Sequence, residues 1–63
     1  MKVYIVCTGE MNEGQSPEAV FKKLSDATDY VNQRYPKFGF DERNKTWYCG
    51  CDMIYIADFE VFE

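Results

Sequence analysis

The stretch SDATDYVNQRY, residues 25–35, decides the architecture, because it is the segment with helical rather than strand periodicity. Ala27, Tyr30, Val31 and Tyr35 recur at three- and four-residue steps, which gathers one apolar stripe along a helix. Ser25 suits the N-cap, where its hydroxyl would accept an orphan N–H of the first turn. Asp26 and Asp29 lie near the positive end of the helix dipole and Arg34 near the negative end. Pro36 then pushes Tyr35 out of the α region and stops the helix. The expectation is one helix over residues 25–35.

The flanking segments read as strands. KVYIVCT, residues 2–8, is β-branched and aromatic, with Val3, Ile5 and Cys7 on one face and Tyr4 and Val6 on the other. Both faces are apolar, which suits a central strand. GEMNEGQSP, residues 9–17, is rich in turn formers and reads as the one long loop. EAVFKK, residues 18–23, follows as a short strand with Ala19 and Phe21 opposite Val20. Beyond the helix, the polar centre DERNK separates two aromatic segments and implies a hairpin with strands near 38–42 and 45–51. DMIYIADFEVFE, residues 52–63, is the longest strand signal. Met53, Tyr55, Ala57, Phe59 and Val61 share one of its faces; the other begins apolar at Ile54 and Ile56 and turns wet at Asp58 and Glu60.

The expected fold is therefore α+β, order ββαβββ, with one helix packed on a small antiparallel or mixed sheet in a single domain, 1–63. A single helix covers a single sheet face. Tyr4, Val6, Tyr48, Ile54 and Ile56 are assigned to the uncovered face, as the interface for a partner. So short a chain has a marginal core, so a homodimer with Ile54 and Ile56 in the contact is expected. The five Phe, five Tyr and one Trp supply apolar area for either a core or an interface.

Seven Lys plus Arg against eleven Asp plus Glu give a net charge of −4, which opposes attraction to phosphate backbones or anionic lipid. The cations Lys22, Lys23, Arg34, Lys37, Arg43 and Lys45 are too few for a basic stripe, even with Tyr35 and Phe38 near them to stack on bases. Eleven scattered acids make a thin case for nucleic-acid mimicry. Three cysteines is an odd number, awkward for a disulfide-stapled secreted domain. MKVYIVCTGE is too short for a signal-peptide core and no run approaches a membrane span, so a cytoplasmic protein with reduced thiols is expected.

The segment TWYCGC, with Cys7, raises the question of a metal or redox site. Structural zinc takes four tetrahedral ligands, whereas this chain has three thiols and no histidine. On a strand, Cys49 and Cys51 would point to one face about 6.6–6.8 Å apart, which fits packing better than chelation unless Gly50 bends the chain. Asp52 or a second subunit could complete a site with Cys7, Cys49 and Cys51. The expectation is buried thiols and no cofactor. Without histidine the usual general base near neutral pH is missing, and no nucleophile elbow, phosphate loop or metalloprotease motif occurs. Glu10 with Glu13, and Asp58 with Glu60, would serve as acid and base only if burial split their pKa values. No enzyme is expected.

KVYIVCTGE, EAVFKKLSDATDYV and the terminal YIADFEVFE together resemble a group of small phage and bacterial proteins. These share a K-V-Y-I-V-type strand ending near Gly-Glu, an A-V-F segment and a single helix. The resemblance spans residues 2–31 and, more loosely, 53–62. It carries no catalytic residues; it implies an acidic accessory protein that binds a host protein, inhibiting or redirecting it, in the host cytoplasm. The alternatives are a small homo-oligomeric protein that binds a ligand or metal through its aromatic and cysteine region, and an acidic nucleic-acid mimic.

Overall fold

A computed structural model describes residues 1–62. Five strands and one helix follow one another as β1 (Lys2–Glu10), β2 (Gly14–Phe21), α1 (Leu24–Arg34), β3 (Gly39–Asp41), β4 (Thr46–Cys49) and β5 (Asp52–Glu60). All neighbouring strands pair antiparallel, in the spatial order β2-β1-β5-β4-β3. The fold is α+β, with the expected element order. β1 is next to the centre because both of its faces are apolar; the central place itself goes to β5. Their pairing runs the full length of both, from Lys2–Glu60 to Glu10–Asp52.

The first hairpin is longer than the composition suggests. β1 continues to Glu10 and β2 starts at Gly14, so the loop expected over residues 9–17 shrinks to Met11, Asn12 and Glu13. Glu13 N–H donates to the Glu10 carbonyl at 3.2 Å, closing a turn whose chain exit is Gly14 at φ +83°. Turn-forming residues occupy β2 because it is an edge strand. Pro17 lacks an N–H, which costs nothing at an edge. Next to it, Ala19 faces Val6 while Pro17 faces Cys7, leaving Glu18 as the extra residue of a β-bulge.

The helix begins at Leu24, not at a Ser25 cap. Lys23 is the flanking residue, extended at φ −124° and ψ 137°, and makes no side-chain cap. Its carbonyl takes the first helical bond, from Ala27 N–H at 3.2 Å. The strand conformation of β2 runs on almost to this point, so Ser25 is already inside the first turn. The other end stops as expected before Pro36, with Tyr35 N–H donating to the Val31 carbonyl at 2.8 Å.

β4 and β5 meet through the two-residue turn Gly50-Cys51. Gly50 has φ +61° and Cys51 does not share the positive value, a combination that matches the twist of a tight hairpin and favours glycine at its first position. In the β3–β4 loop the Asp41 carboxylate accepts from Arg43 N–H at 2.9 Å and Asn44 Nδ2 at 2.9 Å, and Lys45 sits at φ +55°.

The core is small: Val6, Ala27, Val31, Trp47 and Ile54 are buried, with Tyr4, Phe21, Tyr30, Tyr35 and Ile56 packed against them. All of these buried strand residues point to the helix side. Register shows it, since Val6 faces Ile56, Thr8 faces Ile54, and Trp47 faces Ile54 across the next pair. The helix itself lies against β1, β2 and β5. Trp47 of β4 reaches it only by its indole, whose Nε1–H donates to Asn32 Oδ1 at 3.2 Å.

This overturns the face assignment. Tyr4, Val6, Ile54 and Ile56 lie on the covered face, and of the five expected interface residues only Tyr48 lies on the other. The wet end of β5 misleads for a geometric reason. A helix of 11 residues extends about 16 Å, whereas a strand of nine extends about 30 Å. The helix covers Ile54, leaves Ile56 half-buried and falls short of Asp58 and Glu60. Those two meet water and cations, Asp58 with Lys2 at 3.3 Å and Glu60 with the N-terminal ammonium at 3.5 Å.

Candidate binding surfaces

The outward face of the sheet is built from alternate residues of every strand. β1 supplies Val3, Ile5, Cys7 and Gly9; β5 supplies Met53, Tyr55, Ala57 and Phe59 opposite them. β4 adds Thr46 and Tyr48, and β2 adds Val20, Pro17 and Gln15. β3 adds Gly39 and Asp41. Asp41 is the one charged side chain among these positions, in a chain with eighteen Asp, Glu, Lys and Arg. Val20 is 59% exposed and Phe59 57%. The charges lie instead on the helix side of the sheet, in the loops and on the helix surface. The Tyr55 phenol is pushed up, chiefly by its charge interaction with the neighbouring Cys7 side chain.

A second feature lies on the helix side. Because α1 stops short of β4 and β3, an open cleft of about 540 Å³ remains between its first turns and the β3–β4 hairpin. Tyr4, Trp47 and Ile56 floor it; Leu24 and Thr28 form the helix wall. Phe40 forms the opposite wall, packed at a 49° tilt against Trp47 with ring centroids 4.6 Å apart. Lys45 and Asp58 are its charged residues. A smaller hollow of about 250 Å³ at the other end of the helix brings Glu10 and Asp52 side by side.

The third feature ties the helix to the edge strand. The bulge turns Glu18 toward the helix side, where its carboxylate accepts from Tyr30 Oη at 2.6 Å and Tyr35 Oη at 2.5 Å. Arg34 Nε adds an ion pair at 3.6 Å. The two hydrogen bonds hold the Glu18 carboxyl below its ordinary range, and the same bonds push both phenols up. Phe21 packs on Tyr30 at 5.3 Å, completing the join between β2 and α1.

The thiols do not converge. Cys7 is half-buried on the outward face, Cys49 is exposed and lies on the helix side opposite Asp52, and Cys51 is exposed in the turn. The expected burial is corrected at Cys49 and Cys51: Gly50 reverses the chain between them, so they are not strand neighbours on one face. Among the described residues no group of three or more His, Cys, Asp or Glu is placed to hold a metal ion. Glu10 ends β1 and Glu13 lies in the turn; both are exposed.

Glu18, Leu24, Thr28 and Phe40 escaped the sequence reasoning. Pro17 was the available signal for Glu18, since proline inside a strand marks an edge or a bulge. The cleft residues carry no such mark, because the position of the helix over β1, β2 and β5, away from β3 and β4, creates the cleft. No helix among the described residues is long and apolar enough to cross a membrane. No protein-family model, curated protein or solved structure matches the chain.

Proposed function

We propose that this chain is a non-enzymatic binding module that docks a protein on the outward face of its sheet. One observation carries the proposal: that face collects Val3, Ile5, Val20, Met53, Tyr55 and Phe59, with Asp41 the only charge among its described strand positions. Contiguous apolar surface of this kind is characteristic of interaction sites. Phosphate-bearing partners need cations, and no Lys or Arg points from these strands to that side. The partner it suits is a protein presenting an uncharged apolar patch. By its resemblance to small phage proteins the chain acts as an accessory factor in the host cytoplasm, inhibiting or redirecting a host protein.

A second copy of the chain is the other reading, favoured by the same lack of charge. Two molecules of net charge −4 repel, and a charge-free face is where they meet at least cost. Both readings are tested with a double variant, Val20→Lys and Phe59→Lys, which adds two charges at exposed positions. The comparison is affinity capture from bacterial lysate beside light scattering of the purified protein. A stoichiometric protein held by the wild type and lost from the equally stable variant supports the docking module. Equal capture by both removes the outward face as the site. Dimerisation of the wild type alone, with no foreign protein, selects the second copy.

A further inference from the structure

We propose that the cleft between α1 and the β3–β4 hairpin binds a small amphipathic carboxylate, its apolar body between Phe40 and Leu24 and its anionic group at Lys45. The size is right: about 540 Å³ falls within the roughly 300–1,000 Å³ of small-molecule sites. The lining is right as well, since an aromatic and aliphatic floor with a few polar groups at the edge is how such sites are built. Phe40 is 47% exposed and Leu24 52%, so a flat ring can insert between these two walls above the buried Trp47.

Charge selects the ligand. Of the two charged residues lining the cleft, Asp58 is already paired with Lys2 at 3.3 Å. Lys45 makes no ion pair among the described residues. The cleft therefore presents one uncompensated cation in a chain of net charge −4. The backbone under that cation is also informative. Lys45 is the one non-glycine residue with positive φ among the described residues, at +55°. Gly or Asn takes that conformation at lower cost than lysine. Strained positions cluster at functional sites, and this one lines the cleft.

The test uses 2-naphthoate and its uncharged isostere 2-naphthamide, titrated into the intact chain. The Trp47 indole N–H resonance is the readout, and it is unambiguous because the chain has one tryptophan. Naphthoate is expected to shift that resonance saturably and to bind several-fold more tightly than the amide. Lys45→Asn relieves the backbone and removes the charge. It is expected to melt no lower than wild type while weakening naphthoate roughly fivefold, the size of one exposed charge pair. Thr28→Phe, which fills the cleft, is expected to abolish the shift. Equal affinity for acid and amide would overturn the proposal, and so would unchanged binding in Lys45→Asn. Shifts confined to outward-face amides such as those of Tyr55 and Ala57, or none at millimolar ligand, would overturn it too. None of these outcomes bears on protein docking at the outward face.

Discussion

Removing the Glu18 carboxylate should loosen the helix from the sheet by an amount that depends on pH in a defined direction. Its two phenol hydrogen bonds, at 2.6 and 2.5 Å, are charge-assisted, a class contributing about 1.5–3 kcal/mol when well shielded. The Glu18 side chain is 26% exposed and Arg34 is mostly exposed, so water screens the cluster and the Arg34 pair adds little. After that screening Glu18→Ala is expected to cost about 1 kcal/mol, which lowers the melting temperature by roughly 4–8 °C in a domain this small. Glu18→Gln keeps the shape and one acceptor and should cost about half as much. The pH dependence follows from the shifts. A carboxyl with a depressed folded pKa stabilises fully above its unfolded value, near 4.3, and loses that contribution as pH falls through the folded value. The gap between wild type and Glu18→Gln should be level from about pH 5.5 to 8 and close in acid below about pH 4. Tyr30 and Tyr35 have raised values, so their contribution is full below about pH 10 and lost as pH rises through the folded values. Urea unfolding followed by Trp47 fluorescence at about pH 3, 7 and 10.5 measures all three regimes. A gap that is the same in acid as at neutral pH refutes the coupling of Glu18 to the phenols.

The remaining expectations concern packing and exposure. Ile54→Ala should lose about 2–5 kcal/mol, because Ile54 is fully buried under the helix, whereas Phe59→Lys on the outward face should stay within about 0.5 kcal/mol; equal costs in denaturant titrations would reverse the face assignment. Gly9→Ala should cost about 2 kcal/mol or more, since a Cβ there clashes with the Gly14 carbonyl oxygen and comes within 2.8 Å of Gln15 Cα. Unchanged melting in Gly9→Ala would show that the first hairpin is not so closely paired. Native thiol labelling should proceed in two phases, fast at Cys49 and Cys51 and slower at Cys7; mass spectrometry of the modified peptides distinguishes this from three protected thiols.

Local chemistry alone determined the elements. The three- and four-residue recurrence of Ala27, Tyr30, Val31 and Tyr35 specifies a helix whatever surrounds it, and Pro36 ends it through a steric clash with its own neighbour. Alternation in residues 2–8 and 53–60 specifies strands for the same local reason, and with them the α+β class. What alternation leaves open is which face is inside, because β1 and the first half of β5 are apolar on both. Tertiary structure decided that through a mismatch of lengths: an 11-residue helix covers part of a nine-residue strand, so Asp58 and Glu60 stay wet on the same side where Ile54 is buried and Ile56 half-buried. The placement of that helix over β1, β2 and β5 left the cleft beside Trp47, and no residue pattern announces a space between elements. Glu18 shows the remaining kind of information. Its neighbour Pro17 marks an edge, yet only the bulge in the paired register turns its carboxylate toward two tyrosines 12 and 17 residues away.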